Sequence, residues 1–270
     1  MTGDAAYAQV LEDLSAEHED LDALVSSLDD SGWEVATPAP GWSVRDQVGH
    51  LAFFDARARE ALTEPEGFAE MVSALQADPP ALVAWIDRHL VEPRSLTAGE
   101  LLGWWRAERS SLLPVLAVTE PTARIPWFGP SMSATSFATA RLMETWAHGQ
   151  DIADAVGVTR LPTARLRHVA HLGVKTMGWS FVSRGMEPPA EPVYVELRSP
   201  EHEVWAWGPE DAGNVVRGPA IDFCLVVTRR RHRSDSHLEV GGPVAEEWMN
   251  IAQAFAGPPG DGRQPGQFSP

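Results

Sequence analysis

The sequence predicts a two-domain α+β protein, an N-terminal four-helix bundle followed by a smaller C-terminal α+β domain. Two observations carry the first half. Apolar residues recur at helical spacing through long stretches before Gly157, and two of those stretches open with a hydroxyl residue followed three positions later by a carboxylate. The third observation is a change of character beyond Gly157, where alternating β-branched and aromatic residues enter. The expected boundaries are 1–158 for the bundle, 159–257 for the second domain and 258–270 for a disordered Gly/Pro-rich tail.

The first helix runs from about Asp4 to Leu28. It repeats Val10, Leu14, Leu21, Leu24, Val25 and Leu28 along one face, and Asp29-Asp-Ser-Gly32 ends it. The proline-rich turn Ala36-Thr-Pro-Ala-Pro-Gly-Trp42 follows. Ser43-Val-Arg-Asp46 then reads as a capping box, so a second helix starts near Val44 and runs past Phe54 towards Leu62, carrying His50 among apolar neighbours. A third helical region, about Phe68 to Glu92, is interrupted at Asp78-Pro-Pro80. Thr97-Ala-Gly-Glu100 caps a fourth, which reaches Val118 and carries Trp104 and Trp105 as core residues. Ile125-Pro-Trp-Phe-Gly-Pro130 is a rigid aromatic loop, either a packed connection or a lip over a site. A long helical run follows from Ser133 to Val156.

In the second half, Thr163 to Arg184 reads as one helix, and Glu187-Pro-Pro-Ala-Glu-Pro192 as a linker. Val193–Leu197 and Val204–Trp207 alternate as a hairpin, and Val215–Arg217 offers a third strand. Pro219 to Arg230 reads as a helix with proline in its first turn, His237–Val240 as a short strand, and Val244–Phe255 as a terminal amphipathic helix.

Composition narrows the function classes. The 270 residues contain 21 Lys and Arg against 38 Asp and Glu, a net charge of −17. Such a chain repels nucleic acid and anionic membrane, and its one dense basic run, Arg229-Arg-Arg-His-Arg233, suits a helix end or a small anionic ligand better than DNA. No apolar run of about 18 residues predicts a membrane span. The N-terminus shows no signal-peptide pattern, and a single cysteine, Cys224, excludes an intramolecular disulfide. A cytoplasmic protein is expected, with Cys224 a buried hydrophobe.

The chemistry concentrates in Leu142–Ile152. On a helix Glu144 and His148 project one turn apart from a stripe that reads Phe137, Arg141, Glu144, His148, Asp151, Ala155. That spacing suits two ligands of one metal ion, though a solvated outer face produces the same pattern. His50 offers the third ligand, against the blander reading of a satisfied core histidine. Arg141 and Asp151 share the stripe and are candidates to orient ligands or substrate, with a structural salt bridge as the alternative.

Two segments carry a family resemblance. Pro40-Gly-Trp-Ser-Val-Arg-Asp-Gln-Val-Gly-His-Leu51 and Met143-Glu-Thr-Trp-Ala-His-Gly-Gln-Asp-Ile152 resemble the metal-binding bundle of the mycothiol-dependent maleylpyruvate isomerases, within the wider DinB-like superfamily. Ile125-Pro-Trp-Phe-Gly-Pro130, Arg167-His-Val-Ala-His-Leu-Gly173 and Asp222-Phe-Cys-Leu-Val-Val-Thr-Arg-Arg230 extend the resemblance, to an actinobacterial branch, over nearly everything up to Gly257. It implies that His50, Glu144 and His148 ligate a divalent metal, usually zinc, and that the second domain resembles sterol-carrier proteins. It also implies a catalytic arginine after an apolar helix, matched by Arg230 with Arg229 as the alternative. This chain departs from the family's aromatic-rich helix and glycine before that arginine.

Two imidazoles and one carboxylate on a tetrahedral zinc leave one direction open, as in catalytic sites, and a thiol bound there ionises. The expected function is therefore a metal-dependent enzyme that activates a low-molecular-weight, mycothiol-like thiol for isomerisation or S-transfer on a small electrophilic or acidic substrate. The alternative is a metal-binding hydrolase or a non-catalytic ligand-binding protein without thiol chemistry.

Overall fold

The computed structural model describes residues 3–268, the side chains of Pro79 and Asp87 excepted. Met1 and Thr2, at the start of the expected bundle, and Ser269 and Pro270, at the end of the expected tail, lie outside the described residues. The chain divides into two compact units, Met1–Thr159 and Arg160–Pro270.

In the first unit the helices are α1 (Gly3–Ser26), α2 (Asp30–Trp33), α3 (Val44–Thr63), α4 (Pro65–Ala77), α5 (Pro79–Arg88), α6 (Val91–Ser95), α7 (Ala98–Ala117) and α8 (Ala134–Val156). A two-residue antiparallel ribbon, β1 (Arg124–Ile125) with β2 (Met132–Ser133), clamps the base of the aromatic loop between α7 and α8. The four long helices pack on one another, α3 against α7 and α8, and α1 against the same two. Between them lies a core of Leu21, Val25, Trp33, Val44, Val48, Leu51, Leu101, Trp105 and Ile152. Each such side chain contributes about 1.5–3 kcal/mol relative to exposure.

Both sequence-predicted capping boxes form. Ser43 N–H donates to Asp46 Oδ2 at 2.9 Å and Thr97 N–H to Glu100 Oε2 at 2.8 Å, while each hydroxyl accepts from the backbone three residues on. The interrupted third region resolves into α4, α5 and α6. Asp78 accepts from Ala81 N–H, and the prolines at 79 and 80 occupy first-turn positions, where their missing N–H is harmless. Gly49 has a packing role. A Cβ there would lie 2.3 Å from Pro93 Cβ, so only glycine lets α3 and α6 approach beside His50.

In the second unit, the stretch read as one helix is two, α9 (Leu166–Lys175) and α10 (Met177–Val182), parted at Thr176, whose hydroxyl bonds back to Leu172 O. The sheet runs β4-β3-β5-β6, from β3 (Val193–Arg198), β4 (Val204–Trp207), β5 (Asn214–Pro219) and β6 (Glu239–Gly241). The hairpin β3–β4 is antiparallel with Val195 opposite Trp207, whereas β3 and β5 are parallel with Val195 opposite Val216. The helix expected to reach Arg230, α11 (Ala220–Val227), stops early because Arg229 adopts φ +62°, a left-handed cap in which Arg230 N–H bonds back to Leu225 O at 2.7 Å. The last helix is α12 (Pro243–Ile251).

Beyond α12 the chain is irregular yet anchored. Ala254 N–H donates to Val227 O at 2.8 Å, Gly266 N–H reaches the carboxylate of buried Asp235 at 2.8 Å, and the Arg231 guanidinium lies 3.7 Å from the Phe268 ring centroid. None of the described helices is long and apolar enough to cross a membrane.

Candidate metal centre

Three side chains from two helices converge in the first unit. His50 comes from the middle of α3, and Glu144 and His148 from successive turns of α8, the helix against which α3 packs. One ligand atom from each can be chosen so that all lie within 4.8 Å of one another. Glu144 Oε2 is the focus, 3.2 Å from His148 Nε2 and 4.0 Å from His50 Nε2. Donors on a tetrahedral ion with bonds near 2.1 Å stand about 3.4 Å apart, so small ring rotations bring this trio into register. The three side chains keep 18%, 22% and 10% exposure, enough for something to enter.

The hydrogen bonds around His148 supply a test of fit. The Thr37 hydroxyl donates to Trp42 O at 2.9 Å, the Gln47 amide N–H₂ donates to Thr37 Oγ1 at 2.8 Å, and Gln47 Oε1 thus faces His148 Nδ1 at 2.5 Å. That order places the imidazole proton on Nδ1. The lone pair of Nε2 then points at a carboxylate oxygen that also carries only lone pairs. Two acceptors held at 3.2 Å repel unless a cation or a proton lies between them. A divalent metal satisfies all three groups at once, and the Gln47 contact is the usual way a metal-bound imidazole is oriented and made more basic. The donor set, nitrogen and carboxylate oxygen, suits zinc among other divalent metals.

Aromatic rings enclose the trio. Trp42 stacks on His148 with centroids 5.9 Å apart and planes 14° from parallel, and it lies 5.2 Å from His50. His50 also meets Phe54 at 4.6 Å and His89 at 5.2 Å. Of these, Gln47, Trp42 and His89 were not singled out from the sequence. Gln47 and Phe54 carried a signal, since they sit three before and four after His50 on one face of α3. Trp42 and His89 come from a loop and a short helix end, and their approach is a matter of tertiary packing.

The other candidate residues fall elsewhere. Arg141 is buried and forms a bidentate contact with Asp55 Oδ1 on α3, from Nε at 3.0 Å and Nη2 at 2.8 Å, while Trp105 Nε1 donates to the other Asp55 oxygen at 3.2 Å. Asp151 is buried one turn beyond His148 on α8. Arg229 and Arg230 belong to the second unit. Arg230 is buried and donates to Thr228 O at 2.7 Å. Arg229 lies against Gly262, and burial, followed by the charge of Arg184, lowers its pKa. Cys224 is fully buried and donates weakly to Leu166 O, and burial pushes its thiol pKa well up, so it is not a nucleophile.

Comparison with known proteins places this geometry in context. Two uncharacterized proteins of Mycobacterium tuberculosis, from strains CDC 1551 / Oshkosh and ATCC 25618 / H37Rv, are each 49% identical over 251 residues, covering 93% of this chain and 96% of theirs. The crystal structure of the mycothiol-dependent maleylpyruvate isomerase shares the fold with a TM-score of 0.58 at 16% identity, over 88% of this chain and 94% of that one. A histidine-to-alanine mutant of that enzyme matches with a TM-score of 0.57 at 14% identity, over the same shares. A family model described as wyosine base formation matches residues 189–237 alone. The model described as mycothiol maleylpyruvate isomerase N-terminal domain spans residues 14–153, more than half of the chain and all three converging side chains, and the chain belongs to that family.

Proposed function

We propose that this protein is a zinc-dependent enzyme that activates a low-molecular-weight thiol of the mycothiol type and uses it for isomerisation or S-transfer on a small electrophilic substrate. The single observation that carries the reading is the meeting of His50 Nε2 and His148 Nε2 at Glu144 Oε2, with the His148 tautomer set by Gln47. A divalent cation held there lowers the pKa of a coordinated thiol enough for it to react as thiolate at neutral pH.

The chain's own residues do the rest. Gln47 keeps the proton of His148 on Nδ1, which turns the Nε2 lone pair towards Glu144 Oε2, as a shared ligand atom requires. Trp42 covers the imidazoles of His148 and His50 and limits water at this trio. Since Cys224 is sealed and un-ionised, the reactive sulfur has to come from a cosubstrate. Family resemblance adds two finer parts to the proposal. The first unit is a DinB-like four-helix bundle and the second a sterol-carrier-like domain. Arg230, or Arg229, neutralises a substrate carboxylate or developing enolate, an assignment that rests on the resemblance and on no distance.

The test is elemental analysis of wild type and His148→Ala, followed by thiol titration of the cobalt-substituted wild type. About one equivalent of metal is expected in wild type, as one three-ligand site implies, with most of it lost in the variant. Mycothiol should raise a sulfur-to-cobalt charge-transfer band. Stoichiometric cobalt without that band, across mycothiol and other biological thiols, would point to a hydrolase or a ligand-binding protein instead.

A further inference from the structure

The rings beside His50 belong to a longer aromatic surface. Phe54, four residues after His50 on α3, meets Trp127 at 6.2 Å and Phe128 at 6.0 Å between ring centroids. Trp85 of α5 lies 4.8 Å from Phe128 and 5.3 Å from Phe53. These five side chains come from three separate segments, and each remains only half-buried. Beneath them Phe68 is fully buried and stacks on Trp127 at 5.7 Å, 10° from parallel, so the surface is backed by core packing. The loop that carries Trp127 and Phe128 is pinned at its base by the β1–β2 ribbon and further along by Gln76 Nε2, which donates to Phe128 O.

Its electrostatics are as informative as its shape. Arg57 lies 5.5 Å from the Phe53 centroid and pairs through Nη1 with Glu60 at 2.8 Å, while its Nε is buried without a hydrogen-bond partner among the described residues. Arg141, on the metal-facing stripe, is bound to Asp55. A substrate with two carboxylates would lie against rings and paired arginines, whereas a planar apolar group would bury its faces against those rings.

We infer that the rings of Phe53, Phe54, Trp85, Trp127 and Phe128 form the binding surface for the apolar, aromatic arm of the electrophile, with its reactive carbon directed to the metal centre through Phe54 and His50. This rests on the proposed function for the reaction and on the ring geometry for the substrate class. The class is then an aryl-substituted electrophile such as a β-aryl enone, not a small dicarboxylic acid. Continuity carries the argument, since the half-buried rings begin in contact with one candidate metal ligand, Phe54 lying 4.6 Å from His50.

The experiment uses the full zinc-loaded chain without thiol, so no turnover is needed. Tryptophan fluorescence follows binding of three probes: 4-phenyl-3-buten-2-one, its analogue 3-penten-2-one with methyl in place of phenyl, and maleate. The phenyl-substituted enone is expected to bind at least about tenfold more tightly than either, as burial of one ring implies. Trp85→Leu and Phe128→Leu should each erase most of that preference and keep the wild-type zinc content. Maleate binding more tightly than the phenyl-substituted enone, or no gain from the phenyl ring in wild type, overturns the inference, and neither outcome needs the variants to fold. Elemental analysis of the same samples reads the other question separately. Ring preference without stoichiometric zinc would sink the enzymatic proposal and leave the aromatic surface standing.

Discussion

Helix α8 carries two polar clusters on one face, less than a turn apart, and they are built on opposite rules. At Arg141 the cluster is closed. Its guanidinium and the Asp55 carboxylate are 4% and 0% exposed, and both carboxylate oxygens accept, one from Arg141 and the other from Trp105. At Glu144 and His148 the cluster is open. A carboxylate oxygen faces two imidazole nitrogens, of which one has its proton committed elsewhere, and the side chains retain exposure. Three residues separate a structural ion pair from a candidate ligand set. What tells them apart is the pairing itself: the closed cluster sets a cation against a carboxylate, whereas the open one sets a ring lone pair against a carboxylate oxygen.

The largest effect that would sharpen this contrast is on the closed side. Asp55→Ala leaves the Arg141 charge buried without its partner, and is expected to cost about 3–5 kcal/mol in urea unfolding. Replacing both partners, as Asp55→Leu with Arg141→Met, should recover most of that loss, because a packed apolar pair avoids the desolvation of both ions. Metal content of the double variant should equal wild type. A double variant that folds well yet loses its zinc would move Arg141 and Asp55 from architecture into the site and erase the distinction.

A histidine on the closed side provides the next test. His18 is almost fully buried, 5.9 Å from Trp105, and neither of its ring nitrogens has a hydrogen-bond partner among the described residues. Burial dominates and lowers its pKa from 6.5 to about 4, with Asp55 opposing and Arg109 and Arg141 assisting. The unfolded chain therefore binds a proton between these values that the folded chain refuses. Full stability holds above pH 6.5, and about 3 kcal/mol is lost from this group as pH falls from 6.5 to 4. Unfolding free energies across that window should lose much of their slope in His18→Leu. An unchanged slope in the variant would mean that His18 is already charged in the fold.

The sequence disclosed these two clusters unequally. Both capping boxes and the Glu144-x-x-x-His148 spacing were legible because each is a local pattern, fixed by helical periodicity or by the needs of a helix N-terminus, whereas His50 stood out only as a polar residue in an apolar helix and meets that pair through tertiary packing. The β3–β4 hairpin was legible for the same reason, as alternation. What was not legible is pairwise and distant. A salt bridge for Arg141 was legible, but that its partner is Asp55 depends on how α8 crosses α3, and the parallel pairing of β3 with β5 depends on a connection that leaves the sheet edge and returns. The early end of α11 turns on one left-handed residue, Arg229, whose side chain gives no warning, since glycine or asparagine is the usual occupant.

The smallest and most specific expected effect concerns the open side. Gln47 contributes nothing to ligand count, yet it holds the proton on the far nitrogen of His148 through a chain anchored at Thr37 and the Trp42 carbonyl. Gln47→Leu keeps the volume and removes the acceptor, so Nδ1 loses its partner and the ring is no longer held in the ligating tautomer. Partners of this kind are worth about 10–100-fold in metal affinity. Zinc dissociation measured by competition with a chromophoric chelator should therefore weaken by that factor. Gln47→Glu, which restores a stronger acceptor, should recover or exceed wild-type affinity. A purely structural Gln47 predicts the reverse ranking, with the glutamate variant the more damaged because it buries a new charge. The order of the two variants thus decides whether the open cluster is held open for a cation.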